Sequence, residues 1–215
     1  MSKNNNHAFI SVEGNEGVGK TTVMNFIKDL LQKNSCSYVA TREPGGTEIA
    51  EKIRQLLLEH HSEKMADDAE LLLLFAGRAQ HIESVIKPAL AKGEWVITDR
   101  FTDASYAYQG GARGIPLSRI EALAKWVQGD LWPSLTFLLD APVDVAMQRV
   151  SNRGKKDRIE LEKIEFFEKV RQSYLDLAKK HPNRFVLIDA SQNQEKVCYD
   201  IAQIMNQRFG LNVNS

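Results

Sequence analysis

The sequence predicts an α/β fold, a parallel five-stranded sheet with helices on both faces. Three observations predict it. Short apolar runs of strand length alternate with longer stretches whose apolar residues recur at helical spacing. The first apolar run leads through a glycine-rich turn into the first helical stretch. No repeat, low-complexity tract or Ser/Pro-rich linker interrupts the alternation across 215 residues. Strands that alternate with helices build parallel sheets covered on both sides.

The elements follow in order. Ala8 to Glu13 is an apolar run ending in Gly14 and reads as a buried strand. From Lys20 to Lys33, the residues Val23, Phe26, Ile27, Leu30 and Leu31 mark one face of a helix. Ser37 to Thr41 reads as a second strand, and Glu48 to His60 as a helix with Ile49, Ile53, Leu56 and Leu57 on one face. Asp67 and Asp68 are expected to cap a longer helix that runs to about Lys92 and bends near Pro88. Trp95 to Thr98 is a third strand, closed by Asp99-Arg100. Helical patterns then cover Asp103 to Tyr108 and Ser118 to Val127. Leu135 to Leu139 is a fourth strand and Phe185 to Ile188 a fifth. The remaining helical patterns lie at Val143 to Val150, Lys163 to Lys180 and Glu195 to Phe209.

Composition excludes several classes. Apolar residues make up 43% and charged residues 26%, ordinary values for a globular chain. Lys plus Arg and Asp plus Glu both number 28, so the net charge is zero. That argues against a chain devoted to wrapping nucleic acid or coating an anionic membrane. Cys36 and Cys198 form no metal-type or redox-type pair, which excludes a disulfide scaffold and suits a reducing compartment. The run Leu71 to Ala76 is too short to span a bilayer, and Met1 to His7 is polar, without an apolar signal region. A cytoplasmic location is the expectation.

In parallel sheets the ligand sits beyond the carboxyl ends of the strands, and the chemically informative residues do follow strands. After the first comes Gly14-Asn15-Glu16-Gly17-Val18-Gly19-Lys20-Thr21, followed by Thr22. It fits G-x-x-x-x-G-K-[ST] in full. Backbone N–H groups of such a loop surround phosphate oxygens, the lysine brings positive charge to the β- and γ-phosphates, and the Thr21 hydroxyl suits magnesium. Binding of ATP or GTP follows. Asp99, closing an apolar strand, is the second candidate magnesium group, in part through water.

Four further features point to an acceptor. Arg42-Glu43-Pro44-Gly45-Gly46 follows the second strand, with charge and room for close backbone approach. Arg78 lies seven residues after Leu71, inside the stripe formed with Leu74, Phe75, Ile82 and Val85; a guanidinium there needs a partner. Arg100 can hold an acceptor phosphate bidentately. Ser105 and Gln109, four apart near Tyr106 and Tyr108, can read a base edge.

These segments, with Asp99-Arg100-Phe101, Ala107 to Gly114 and Asp157-Arg-Ile-Glu160, resemble the thymidylate kinase family over essentially the whole chain. The resemblance implies a P-loop nucleoside-monophosphate-kinase-like three-layer sandwich, one domain over 1–215 with a short lid at about 149–160. It implies transfer of the γ-phosphoryl group of ATP to dTMP with Mg2+, within dTTP biosynthesis, by a homodimer.

The resemblance also implies roles. Lys20 and Asp99 serve catalysis together with Glu16, which lies near the acceptor sugar and the metal. ATP contacts the loop Gly14 to Thr22 and Arg149, the latter against adenine. Glu43, Pro44 and Arg54 line the acceptor side, Arg78 meets a thymine carbonyl, Arg100 clamps the acceptor phosphate, and Ser105 and Gln109 read the thymine edge. Many members place the stacking aromatic four residues before the arginine matching Arg78. Here that position is Leu74, and Phe75, three before, is assigned the stacking role. No loop position is basic besides Lys20, so the lid must supply the catalytic cation, Arg153 or Arg158, as in the bacterial subtype with lid arginines.

Two other readings stand beside it. A kinase of the same architecture acting on another nucleotide or a deoxynucleoside needs the same loop, and a nucleoside acceptor also needs a base such as Glu43. A P-loop switch ATPase needs no acceptor site at all. A metal hydrolase built on His60-His61 fails, because adjacent helical residues point apart.

Overall fold

The computed structural model describes residues 7–151 and 157–213. Five parallel strands form one sheet: β1 (Phe9–Glu13), β2 (Tyr38–Arg42), β3 (Trp95–Asp99), β4 (Leu135–Asp140) and β5 (Phe185–Asp189), in the order β2-β3-β1-β4-β5. β1 ends at Glu13 as expected, and β2 to β5 each end one residue beyond the run that predicts them, because ladder hydrogen bonds extend to the polar residue that closes the strand. The register pairs Val12 with Asp99 and Arg42 with Asp99, so the charged ends of β2 and β3 meet at the carboxyl edge beside β1.

Side-chain alternation divides the core. Ile10, Val12, Ile97, Leu135, Phe137 and Leu139 pack with α1 (Lys20–Lys33) and α9 (Gln194–Phe209) through Val23, Ile27, Leu31, Ile201 and Met205. Phe9, Val96 and Phe101 face the opposite side with Ile82 and Ile86. On that side Leu138 packs beneath α8 (Ile164–Lys180), against Phe167, Val170 and Tyr174. The second layer also holds a buried polar chain. Ser11 Oγ and Thr136 Oγ1 lie 2.9 Å apart, Arg184 donates to Thr136 at 3.0 Å, and Arg184 pairs with Asp103.

The predicted helix over 67–92 is continuous but differs in two respects. Ala66 occupies the N-cap without a side-chain hydrogen bond, and Asp67 and Asp68 lie in the first turn of α3 (Asp67–His81), where negative charge meets the positive helix end. The sequence predicts a bend near Pro88; the departure from α-helical geometry falls one turn before it. A π-helical turn, Ile82–Ile86, leads into α4 (Lys87–Ala91), where Pro88 sits in the first turn and its missing N–H is tolerated. A second π segment, Tyr106–Ala112, extends the short α5 (Thr102–Ser105). Such turns cluster at functional sites, and this one carries Tyr108 and Gln109. It lies directly on α8: a Cβ added to Gly111 would come within 1.8 Å of Ser173 Oγ, so only glycine permits the approach. The remaining helices are α2 (Glu48–Leu58), capped by Thr47, α6 (Leu117–Val127) and α7 (Val143–Ser151). No helix among the described residues is long and apolar enough to cross a membrane.

Candidate active site

A cavity of about 650 Å³ opens at the carboxyl edge of β1, β2 and β3. One wall is the loop before α1. Gly17 has φ 78°, and a Cβ there would meet the Ala146 carbonyl oxygen at 2.0 Å, so α7 holds the loop in a shape only glycine adopts. No side chain caps the N-terminus of α1, and no acidic residue occupies its first turn. Its N–H groups therefore face an anion site. Lys20 is buried and donates to the carbonyls of Asn15 (2.7 Å) and Gly14 (3.3 Å). Burial, then Arg100, lowers its pKa, while Glu16 and Asp99 oppose the shift. Thr21 and Thr22 line the cavity.

Arg100 forms the floor. It is a non-glycine residue at φ 70°, a left-handed conformation that costs about 1–3 kcal/mol. Four contacts hold it there. Nη1 donates to the Gly14 carbonyl at 2.8 Å and the Tyr174 hydroxyl at 3.1 Å, and Nη2 donates to Glu16 Oε1 at 2.6 Å and the Tyr108 hydroxyl at 2.9 Å. Behind it, Glu13 accepts from Tyr174 and from the Phe101 N–H, each at 2.7 Å. Burial, followed by the nearby Asp103, raises the Glu13 pKa to about 8.

The far wall is built on α3. Glu70, Leu74 and Arg78 are spaced four apart and all line the cavity. Arg78 Nε donates to Glu43 Oε2 at 2.7 Å and its Nη2 to Ser105 Oγ at 3.1 Å. His81 Nδ1 lies 3.0 Å from Glu43 Oε1, and its Nε2 lies 2.7 Å from Thr41 Oγ1. Glu43 thus belongs to a buried structural pair, and its backbone hands the chain into the cis Glu43–Pro44 peptide. Arg54 caps the Pro44 carbonyl at 2.9 Å.

Three buried polar atoms of this cavity have no hydrogen-bond partner among the described residues: Arg78 Nη1, Gln109 Oε1 and Asp99 Oδ1. A buried, unpaired polar group costs about 1–3 kcal/mol. One donor and two acceptors are therefore held ready for a ligand.

A family model described as thymidylate kinase matches residues 12–201. The chain belongs to the thymidylate kinase family. It is 52% identical to a thymidylate kinase of Ruthia magnifica over 197 residues, which span 92% of this chain and 96% of that protein. It is equally identical to one of Pseudomonas putida strain F1, with 92% and 94% covered. The crystal structure of thymidylate kinase from Ehrlichia chaffeensis superposes with a TM-score of 0.76 at 31% identity, covering 93% of this chain and 98% of that one. The fold is the P-loop nucleoside-monophosphate-kinase type, and the reaction is phosphorylation of dTMP to dTDP by ATP.

Measured against this thymidylate kinase site, the residues predicted from sequence divide into groups. Glu16, Gly17, Gly19, Lys20, Thr21, Thr22, Glu43, Pro44, Arg54, Arg78, Asp99, Arg100, Ser105, Gln109, Arg149 and Arg158 all line the one cavity. Asn15 and Val18 turn their side chains away: Asn15 Nδ2 donates to the Phe167 carbonyl, and Val18 is buried in the core. Phe75 does not face the cavity either. It is 2% exposed, packed with Leu71, Ile115, Ile120 and Ala124, and its ring lies 4.5 Å beneath the Arg78 guanidinium. Leu74 occupies the wall in its place. Phe75 therefore supports Arg78, because Ile115 and Ile120 offer its ring an apolar slot.

Arg158 also differs from expectation. Its Nη2 meets Glu70 Oε2 at 2.6 Å and its Nε donates to the Leu57 carbonyl at 2.8 Å, on the acceptor wall and not over the loop before α1. The reason is charge. Glu70 is 2% exposed, and Arg113 reaches it only at 3.4 Å, so a second guanidinium completes its compensation. Asp157 fixes the turn, accepting from the N–H groups of Ile159 and Glu160 at 2.9 Å. Arg153 lies outside the described residues. Arg149 donates to the Ala190 carbonyl at 3.1 Å. Glu70, Arg113, Tyr174, Glu13 and His81 are site-forming residues not singled out from sequence. Glu70 and His81 share the helical face of Arg78, and that periodicity was the available signal.

Proposed function

We propose that the cavity reads dTMP through the unpartnered atoms of Arg78 and Gln109, and that this pair selects thymine. Thymine offers an acceptor at O4 and a donor at N3–H. Arg78 Nη1 supplies the donor and Gln109 Oε1 the acceptor, both buried and both on residues that line the cavity. Cytosine reverses both signs, with a 4-amino donor and an N3 acceptor. This complementarity of unsatisfied atoms carries the reading.

The remaining roles follow from position. Arg100 clamps the acceptor phosphate, pre-set by four contacts, and Glu16 beside it faces the sugar. Arg54 and Pro44 close the acceptor side, and Ser105 fixes Arg78. Leu74 takes the apolar face of the base. The N–H groups of the loop Gly14 to Thr21 bind the ATP phosphates, with Lys20 at the transferring group and Arg149 toward adenine. The unpartnered Asp99 Oδ1 and the Thr21 hydroxyl fit Mg2+; the described residues contain no cluster of three acidic, His or Cys ligands, as suits a magnesium bound largely by substrate phosphates and water. Magnesium bound there supplies positive charge to the ATP phosphates. The acceptor is an ionised phosphate monoester, so the chain needs no strong general base; it positions and neutralises. Residues 149–160 act as the lid of a single domain, excluding water from the transfer. The reaction takes place in the cytoplasm, which suits ATP as the phosphoryl donor and the free thiols of Cys36 and Cys198.

A coupled assay of ADP release tests the acceptor. With dTMP, dUMP, dCMP, AMP and GMP compared, dTMP is expected to lead. Its advantage over dUMP stays within about 10–200-fold, the worth of one methyl in an apolar pocket. Equal kcat/KM for dTMP and dCMP overturns the base-reading assignment.

We also propose a homodimer formed through α2, α3 and α6. Ile49, Leu56, Leu72 and Trp126 are exposed on these helices, Trp126 by 83%. Large apolar side chains grouped on adjoining helices suit an interface. Trp126→Glu is expected to halve the mass seen by sedimentation; a wild type already monomeric at micromolar concentration refutes the assembly.

A further inference from the structure

We infer that Glu70 sets the base specificity of the acceptor site by fixing which end of the Gln109 amide faces the cavity. The inference rests on the reading of Arg78 and Gln109 as base-contacting residues.

An amide side chain can present either its oxygen or its NH2 group, and nothing in Gln109 alone decides between them. Here Gln109 Nε2 lies 2.8 Å from Glu70 Oε1. An ionised carboxylate only accepts hydrogen bonds, so the NH2 end must turn toward it and the oxygen must turn to the cavity. Burial alone pushes the Glu70 carboxyl up, but Arg113 and the hydrogen bonds from Gln109 and Arg158 outweigh burial and hold it below its ordinary value. The carboxylate therefore stays an acceptor. Both Glu70 and Gln109 are nearly inaccessible, at 2% and 4% exposure, so water cannot substitute for either partner. Glu70 is thus a positioning residue. It acts on the base through Gln109, and the acceptor oxygen it leaves in the wall matches N3–H of thymine and opposes N3 of cytosine.

Glu70→Gln removes the constraint at nearly constant volume. The new amide can donate to Gln109 Oε1, which lets the Gln109 amide turn and offer a donor to the base. A loss of shape or charge at Glu70 would lower activity on all acceptors alike, whereas a turned amide changes their ratio.

The experiment measures kcat/KM for dTMP and for 5-methyl-dCMP, which differ only at the edge in question, in wild type, Glu70→Gln, Arg158→Ala and Gln109→Ala. The dTMP preference is expected to fall about 10–100-fold in Glu70→Gln, the effect of relieving one buried unpaired polar group. It is expected to persist in Arg158→Ala, which removes another partner of Glu70 but leaves Gln109 pinned. Gln109→Ala isolates the underlying reading. If it keeps the wild-type preference, Gln109 does not read the base, and both claims fall. If it loses the preference while Glu70→Gln retains it, the base reading stands and the role of Glu70 is refuted. A loss of preference in Arg158→Ala as large as in Glu70→Gln also refutes it. Should Glu70→Gln fail to fold, the double variant Glu70→Gln/Arg158→Met removes the stranded guanidinium, and its ratio is read in the same way.

Discussion

Lys20→Ala is expected to lower kcat by about 10²–10³-fold or more, the usual loss when a preorganised charge at a developing anion is deleted. Among the described residues Lys20 is the one lysine that lines the cavity, placed at the first residue of α1 and fixed by the carbonyls of Asn15 and Gly14. Its ammonium is thereby aimed before any substrate arrives, and its burial strengthens its field on the transferring group. The acceptor KM is expected to change less, since Glu16, the acceptor-side neighbour of Lys20 at 3.8 Å, keeps its closer contact with Arg100 at 2.6 Å. Two loop carbonyls lose a donor, so stability falls as well, by about 1–3 kcal/mol for each carbonyl that stays dry. A thermal melt and far-ultraviolet circular dichroism separate that loss from catalysis. Turnover within tenfold of wild type in a folded variant removes Lys20 from the chemical step.

Arg100→Ala is expected to raise the dTMP KM by at least about 100-fold, since the proposed clamp loses the positive charge it brings to the acceptor phosphate. The same change destabilises the fold. Glu16 loses its 2.6 Å contact with the guanidinium, and the hydroxyls of Tyr108 and Tyr174 lose a common donor. Breaking a buried pair costs about 3–5 kcal/mol, and Glu16 is 24% exposed, so the lower end applies. For a chain of this size, each kcal/mol lowers Tm by about 2–4 °C. Arg100→Lys is not expected to rescue either effect, because one ammonium cannot meet four partners arranged about a planar fork. A dTMP KM within a few-fold of wild type in Arg100→Ala refutes the clamp.

Much of this site was legible because its parts are local. The loop Gly14 to Thr21 is a contiguous pattern whose glycines, lysine and threonine each have a mechanical reason. Asp99 and Arg100 are visible as charge at the end of an apolar strand. Arg78 is visible as a charge inside an apolar stripe, and the structure gives it Glu43 as the partner that such a position requires.

The parts that were not legible depend on contacts across long stretches of chain. Phe75 and Leu74 differ by one residue, about 100° of helix rotation, and only the packing of Ile115 and Ile120 against α3 decides which faces the cavity. Glu70 looks like an ordinary first-turn acid of a helix, favourable there for the dipole alone. Its partners lie 39 and 88 residues away, at Gln109 and Arg158. Likewise the basic run around Arg158 reads as a cover for ATP, yet a buried carboxylate on α3 draws Arg158 to the acceptor wall.

The sequence by itself determined the fold class, the phosphate loop and the family, because periodicity, turn chemistry and contiguous motifs are written in neighbouring residues. Tertiary structure alone decided which face of α3 meets the ligand, which atom of Gln109 is offered to it and where Arg158 finds its counter-charge. Those choices belong to buried polar atoms. Each must find a partner among groups brought near by the fold, and the partner's place in the chain leaves no trace in the local pattern.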